Sequence, residues 1–241
     1  MNSLSEPYRR DPAVSFLMLL PLALLHLSGY SVANLEAVSM VEVFLQPWQP
    51  YAMWAIVSCL VVSVLWSIGR ISQLELAWRG GAMLILAESL FWAVVLGPIL
   101  GWLKSIVEIE LLPLGSPLDI AEKLSLHAKL AIAAGAGLYE ELIFRVLLLG
   151  GLAILLRGLF LNFFSDAVAR KLGMVLALVS SAIVFAAAHG ATGDSSALET
   201  GPLVYRSLAG IAFGLLYWFR GLAVCAYAHA AYDAILLLKF V

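Results

Sequence analysis

Residues 130–156 read LAIAAGAGLYEELIFRVLLLGGLAILL, and this stretch decides the fold of the chain. It is long enough to cross a lipid bilayer, which takes about 20 mostly apolar residues. Three charged residues, Glu140, Glu141 and Arg145, nevertheless lie at its centre, where each costs about 2.5–3.5 kcal/mol on insertion scales. Charges at that depth face the interior of a bundle rather than lipid. The stretch therefore predicts one membrane helix with a polar site against it.

The composition of the whole chain supports a membrane protein. Of its 241 residues 63% are apolar and 12% are charged, whereas soluble domains have about 45–50% and about 25%. The net charge of −2 gives no electrostatic basis for binding nucleic acid. Cys59 and Cys225 lie far apart in apolar stretches, form no CxxC motif and are interpreted as packing residues.

Six further stretches are long and apolar enough to span a bilayer, which predicts an all-α, polytopic membrane helix bundle with about seven transmembrane helices. An eighth helix is expected if residues 34–50 or 104–125 enter the membrane. The seven predicted spans are 13–33, 51–69, 81–103, 130–156, 172–190, 203–219 and 221–240.

Lysine and arginine in the short loops predict the orientation of these spans. They occur before the first span and after the second, fourth and sixth, but not in residues 34–50 or 190–202. The exception is the segment 104–129, where Lys104, Lys123 and Lys129 lie among acidic residues. With seven spans this pattern places the N-terminus in the cytoplasm and the C-terminus outside, in a bacterial-type inner (plasma) membrane. The residues that carry the pattern are Arg9, Arg10, Arg70, Arg79, Arg157, Arg170, Lys171 and Arg220.

The charges of the fourth span suggest two different tasks. Glu141 and Arg145 are four residues apart, so they share a helix face and can pair. Glu140 points about 100° away from that face, and a carboxyl group in an apolar cavity suits the work of a general base. The alternative is a buried ion cluster that only fixes helix packing.

Two later spans add histidines. His189 ends the fifth span, after small residues that let another helix approach closely. His229 and Asp233 are four apart on the seventh span and can face one cavity, although such a pair can also serve only to hold the bundle together. Because the deep polar residues concentrate in the C-terminal half, they favour one site over a transport path.

Several protease chemistries lack their residues in this sequence. There is no HExxH motif for a zinc helix and no GxSxG turn for a serine nucleophile. Neither cysteine has a base near it in the sequence. What remains is a site of glutamate and histidine, with or without a metal.

The order Glu140-Glu141-x-x-x-Arg145, Phe185-x-x-x-His189 and His229-x-x-x-Asp233 resembles the CAAX prenyl protease/bacteriocin-processing (CPBP, Abi) family. The block from Gly210 to His229 resembles the last motif region of that family. The best understood members are glutamate-dependent intramembrane proteases. The resemblance implies a catalytic core over 125–241, preceded by membrane helices over 1–124 whose role it leaves open. Asp233 stands where asparagine is common in the family.

The resemblance also implies roles. Glu140 would activate a water with help from His189, Arg145 would anchor Glu141, and His229 with Asp233 would polarise the scissile carbonyl. Because an ionised aspartate cannot donate to an oxyanion, Asp233 would instead orient His229. No cofactor is expected, although a zinc alternative would use Glu140, His189 and His229 as ligands.

The expected partners are the lipid bilayer and a membrane-embedded protein or peptide substrate, with no nucleic acid; the oligomeric state stays open. The substrate would be a C-terminal sorting anchor, a leader or a CAAX-type tail. Because the predicted orientation opens the site away from the cytoplasm, it favours an exported substrate. The competing hypothesis is a non-proteolytic membrane protein, such as a bacteriocin self-immunity factor or a scaffold.

Overall fold

The chain folds as a bundle of long helices. The structure, a computed structural model, describes residues 11–32, 47, 51–73, 78–106, 124–192 and 199–238. Within these ranges there are seven helices of the bundle and no strand, which confirms the predicted all-α class. The helices are α1 (Pro12–Val32), α2 (Tyr51–Gln73), α3 (Trp78–Ile106), α4 (Leu126–Phe160), α5 (Asp166–Ala188), α6 (Thr200–Arg220) and α7 (Leu222–Leu237).

The outer surface of the bundle is apolar. Five of the helices (α1, α3, α4, α5 and α6) are long and apolar enough to cross a membrane, while α2 and α7 contain shorter apolar stretches. Large apolar side chains such as Trp54, Leu65, Phe91 and Ile154 point outward and are more than half exposed. In water such a surface would aggregate, whereas in a bilayer it is solvated by lipid. The chain is therefore an integral membrane protein.

Each predicted span coincides with a helix, but the bounds differ most at α5 and α4. Helix α5 begins at Asp166 rather than at the predicted 172 and ends at Ala188 rather than at 190. Helix α4 begins at Leu126 and continues to Phe160, beyond the predicted 130–156. Its start is fixed by Ser125, whose hydroxyl accepts a hydrogen bond from the Ala128 N–H at 3.2 Å. The predicted eighth span, over 34–50 or 104–125, lies almost entirely outside the described residues.

The middle of α4 is wider than an α-helix. Ala136–Gly150 form a π-helix, in which each N–H bonds the carbonyl five residues earlier. Successive side chains are therefore separated by less than the 100° of an α-helix, so the sequence-based angle between Glu140 and Glu141 was too large. Such segments are rare and occur frequently at functional sites, and this one carries Glu140, Glu141 and Arg145, the three charges at the centre of the helix.

A single residue joins α6 to α7. Gly221 has φ 91°, a left-handed conformation that a side chain would strain, and its N–H bonds the Tyr217 carbonyl at 2.9 Å. The two helices therefore run back along each other with no loop between them. Phe213 and His229, eight residues before and eight residues after the turn, consequently lie at the same depth.

Glycines let the central helices approach closely. A Cβ on Gly137 of α4 would lie 2.8 Å from both the N and the Cβ of Ala230 on α7. A Cβ on Gly210 of α6 would lie 3.0 Å from the Cα of Ala182 on α5. These contacts bring backbone close to backbone, as small residues do in membrane bundles; the first packs α4 against α7 and the second packs α6 against α5.

We expect Gly137→Ala to destabilise the protein because its methyl group has no room against α7. Overpacking of this kind costs about 1–3 kcal/mol, and thermal unfolding in detergent measures it. Gly158→Ala is the matched control, since nothing lies within 4 Å of its Cβ position and alanine favours a helix. Equal unfolding temperatures for the two variants would contradict the close approach of α4 and α7.

Candidate active site

The carboxylate of Glu141 is the centre of a buried polar cluster between α4 and α7. Its side chain is fully buried. Its Oε1 accepts a hydrogen bond from His229 Nδ1 at 2.7 Å, and its Oε2 lies 3.1 Å from Arg145 Nε. The sequence-based pairing of Glu141 with Arg145 is thus present in the structure, and both oxygens of Glu141 are occupied.

Cys225 adds a third contact to Glu141. Its buried thiol lies 2.9 Å from Glu141 Oε2, to which it can donate, and 3.1 Å from the Phe213 carbonyl oxygen. Because α7 carries both Cys225 and His229, four residues apart, this helix contacts both oxygens of the same carboxylate. The sequence interpretation of Cys225 as a packing residue was incomplete, and its spacing from His229 was the signal that could have revealed the contact.

Arg145 is also fully buried. Its guanidinium carbon lies 4.7 Å from the centre of the Phe185 ring, a cation–π arrangement that stabilises a desolvated positive charge. Its charge is therefore balanced from two sides, by the Glu141 carboxylate and by the aromatic face of α5. This contact links α5, which carries Phe185, to α4, which carries Arg145.

His229 stands between three carboxyl groups. With Nδ1 engaged by Glu141, its Nε2 faces Asp233 Oδ2 at 3.5 Å and Glu140 Oε2 at 3.8 Å. The ring stacks on Phe213, with 4.6 Å between centroids and 20° between planes. The imidazole is therefore fixed in plane and in tautomer, since Nδ1–H donates to Glu141.

Glu140 has a different environment from its neighbour. Its side chain is buried, and its Oε2 has no hydrogen-bond partner among the described residues. Glu140 Oε2 lies 3.8 Å from His229 Nε2, which is close enough for a charged contact but beyond hydrogen-bond length. The adjacent glutamates thus divide into a fully engaged carboxylate and one with unused acceptor capacity.

His189 reaches the cluster through an aromatic ring. It lies in the 3₁₀ turn His189–Thr192 that follows α5, and its Nδ1 is 2.8 Å from the Phe185 carbonyl oxygen. Since Nδ1–H donates there, Nε2 of the neutral ring bears the lone pair. The Phe185 ring contacts His189 at 4.9 Å and His229 at 6.1 Å, edge to face.

The six sequence-predicted site residues therefore fall into two groups. Charged contacts of 4 Å or less link Glu140, Glu141, Arg145, His229 and Asp233, while Phe185 joins His189 to them. The zinc alternative would need Glu140, His189 and His229 to converge. Within the described ranges no three His, Cys, Asp or Glu side chains form a group that could hold a metal ion, and the zinc alternative stays a prediction for the chelation experiment.

Two further ionisable residues of the sequence are paired away from this cluster. Glu88 of α3 bonds the guanidinium of Arg220 at the end of α6 and also accepts from the Trp92 indole at 3.4 Å. His26 of α1 contacts the Ala131 carbonyl oxygen at 3.0 Å and the Tyr139 ring. Both pairs join the N-terminal helices to the core.

Comparison with known proteins gives one family. Residues 123–235 match the family described as Type II CAAX prenyl endopeptidase Rce1-like. No curated protein and no solved structure matches the chain. The matched segment begins just before α4 and ends within α7, so it contains every residue of the cluster.

We expect Cys225→Ala to destabilise the fold by about 1–3 kcal/mol, because it leaves a buried carboxylate with one donor fewer. Cys225→Ser keeps a donor at the same position and should lose less. Thermal unfolding in detergent compares the two variants, with Cys59→Ala as the control at an exposed cysteine. Equal losses for the alanine and serine variants would assign Cys225 to packing alone.

Proposed function

We propose that this protein, whose residues 123–235 belong to the Rce1-like family of type II CAAX prenyl endopeptidases, uses Glu140 to activate the water that cleaves a membrane-embedded protein or peptide. The match of residues 123–235 to this family supports a CAAX-type intramembrane endopeptidase in general. The glutamate mechanism and the substrate are the proposal.

The contrast between Glu140 and Glu141 carries the mechanism. A general base needs a lone pair that can take a proton from water, and both oxygens of Glu141 are already engaged by His229, Arg145 and Cys225. Glu140 is buried beside them with an oxygen that accepts no hydrogen bond within the described residues. Glu140 is therefore the better candidate for the base, and Glu141 for the support that holds His229.

The reaction then needs one proton to move twice. Glu140 takes a proton as the water oxygen bonds to the scissile carbonyl carbon, which leaves a negative charge on the carbonyl oxygen. When this tetrahedral intermediate collapses, the C–N bond breaks and the protonated Glu140 returns its proton to the departing amine. The products are a carboxylic acid and an amine, and Glu140 is regenerated.

His229 is the candidate for stabilising the oxyanion. Its Nε2 points away from Glu141 toward Glu140 and Asp233, so a protonated ring presents an N–H beside the reacting water. Preorganised donors are effective in a site that excludes water, and the Phe213 and Glu141 contacts fix this ring. His189, whose Nδ1 is held by the Phe185 carbonyl, is the candidate for helping to position the same water.

The position of Asp233 beside His229 supports a role in orienting that imidazole. Its Oδ2 lies 3.5 Å from His229 Nε2, where a carboxylate accepts rather than donates. Asp233 would therefore orient His229 instead of binding the oxyanion itself. Its side chain is 28% exposed while that of His229 is 5% exposed, so the cluster opens past Asp233.

The arrangement of arginines bears on the substrate. One cavity is lined by Arg157, by Arg170 and by the first residues of α1 and α7. These groups therefore lie at one end of the bundle, whereas His189 is at the opposite end of α5. With positive residues inside, this arrangement supports our proposal of a cytoplasmic N-terminus and a site toward the outer leaflet. An exported protein's anchor, sorting signal or leader is then a better substrate than a cytoplasmic tail.

We expect Glu140→Gln to lower the cleavage rate at least about 10²-fold, the contribution of a positioned base. Purified protein is assayed in detergent against membrane-anchored leader peptides, sorting-anchor peptides and a prenylated CAAX peptide. Glu199→Gln, the same change at an exposed position, is the control and should keep full activity.

A zinc chelator is added in parallel to separate the two mechanisms. Activity that survives the chelator but is lost in Glu140→Gln supports the metal-free base, whereas loss on chelation with rescue by zinc would replace it. Cleavage that persists in Glu140→Gln would assign the base elsewhere. A well-folded wild type that cleaves none of the peptides would favour the immunity or scaffold hypothesis.

We expect Asp233→Asn to keep activity within about tenfold of the wild type, because the amide oxygen can still accept from His229 Nε2. Asp233→Leu, which has no acceptor, should lose about 10²-fold or more in kcat. The measurement is kcat against the best peptide of the panel. An asparagine variant as inactive as the leucine variant would show that the negative charge itself is needed.

A further inference from the structure

The cavity lined by Arg157 and Arg170 lies at the arginine-rich end of the bundle, and its lining includes no residue of the polar cluster. Its volume is about 500 Å³, within the roughly 300–1,000 Å³ of ligand-binding pockets. It opens between α1, α4, α5, α6 and the start of α7. Its walls include Phe16, Val146, Leu149, Met174, Trp218 and Leu222.

The charges at this cavity have one sign. Its described lining contains two charged residues, Arg157 and Arg170, and no acidic one. Asp166 lies beside them, where Arg157 donates to its Oδ1 from Nε at 3.0 Å and from Nη2 at 2.8 Å, and Arg170 Nη2 is 3.9 Å from its Oδ2. One carboxylate therefore holds two guanidinium groups in place and leaves one positive charge in excess.

The form of the cavity matches an amphiphile with a negative head. Arginine binds phosphate oxygens through paired N–H groups, and the apolar walls suit a hydrocarbon chain. Trp218 and Tyr217 also line the cavity, and such aromatic residues favour the membrane interface. Basic pockets between transmembrane helices on the cytoplasmic side bind anionic lipid head groups.

We propose that this cavity binds an anionic phospholipid, with the phosphate on Arg157 and Arg170 and an acyl chain between α1, α4 and α6. The lipid would contact Val146 and Leu149, which continue the helix that carries Glu140 and Glu141. A bound lipid would thus fill the space beside the active-site helix at the end remote from the reaction.

The test is native mass spectrometry of the delipidated full-length protein with 1-palmitoyl-2-oleoyl phosphatidylglycerol and with the matching phosphatidylcholine. We expect phosphatidylglycerol to bind more tightly, and Arg157→Gln and Arg170→Gln each to weaken it about fivefold. The matched control is Lys171→Gln, which removes the same charge from an exposed position next to Arg170 but outside the lining. It should change the affinity little.

A cavity-filling variant tests the apolar half of the site. Apart from the adjacent turns of its own helix, the Cβ position of Gly150 has one atom of the described residues within 4 Å, Arg145 O at 3.5 Å, so Gly150→Leu should fit into the cavity and exclude the acyl chain. Folding of each variant is checked by helical circular dichroism. Equal binding of the two lipids, an equal loss in Lys171→Gln, or full affinity in folded Gly150→Leu would each overturn the proposal.

Discussion

The contact between Glu141 and His229 joins the two helices that carry most of the polar cluster. Glu141 is buried without exposure, so its charge is tolerated only because His229, Arg145 and Cys225 surround it. Removing one partner of a buried ion pair costs about 3–5 kcal/mol, since the remaining charge is left buried without a counter-charge. The packing of α4 against α7 and the orientation of the imidazole thus depend on one carboxylate.

The other features of the core serve this contact. Gly137 removes the side chain that would keep α7 away from α4. Phe185 supplies an aromatic face to Arg145 and an edge to both histidines, so α5 stabilises the cation that stabilises Glu141. With Glu141 committed to structure, its neighbour Glu140 remains chemically available, which is why two adjacent residues of the same type can have separate tasks.

The structural features that depend on local residue spacing or on hydropathy could be predicted from the sequence. The seven spans, the pairing of Glu141 with Arg145 and the proximity of His229 to Asp233 follow from apolar length and from the spacing of four residues on a helix. Other contacts depend on which helices meet, which spacing does not encode. The thiol of Cys225 on Glu141, the ring of Phe213 on His229 and the link of His189 through Phe185 are of this kind, and the wide π-helix in α4 has no sequence signature of its own.

The single-residue turn at Gly221 makes the contact between Phe213 and His229 depend on the number of residues between them. Phe213 and His229 face each other because the same number of positions separates each from the turn. One residue inserted or deleted there would rotate α7 by about 100° and shift it along its axis by about 1.5 Å. A length change at this turn would therefore separate His229 from both Phe213 and Glu141, so the position of the imidazole in the polar cluster depends on the length of this connection.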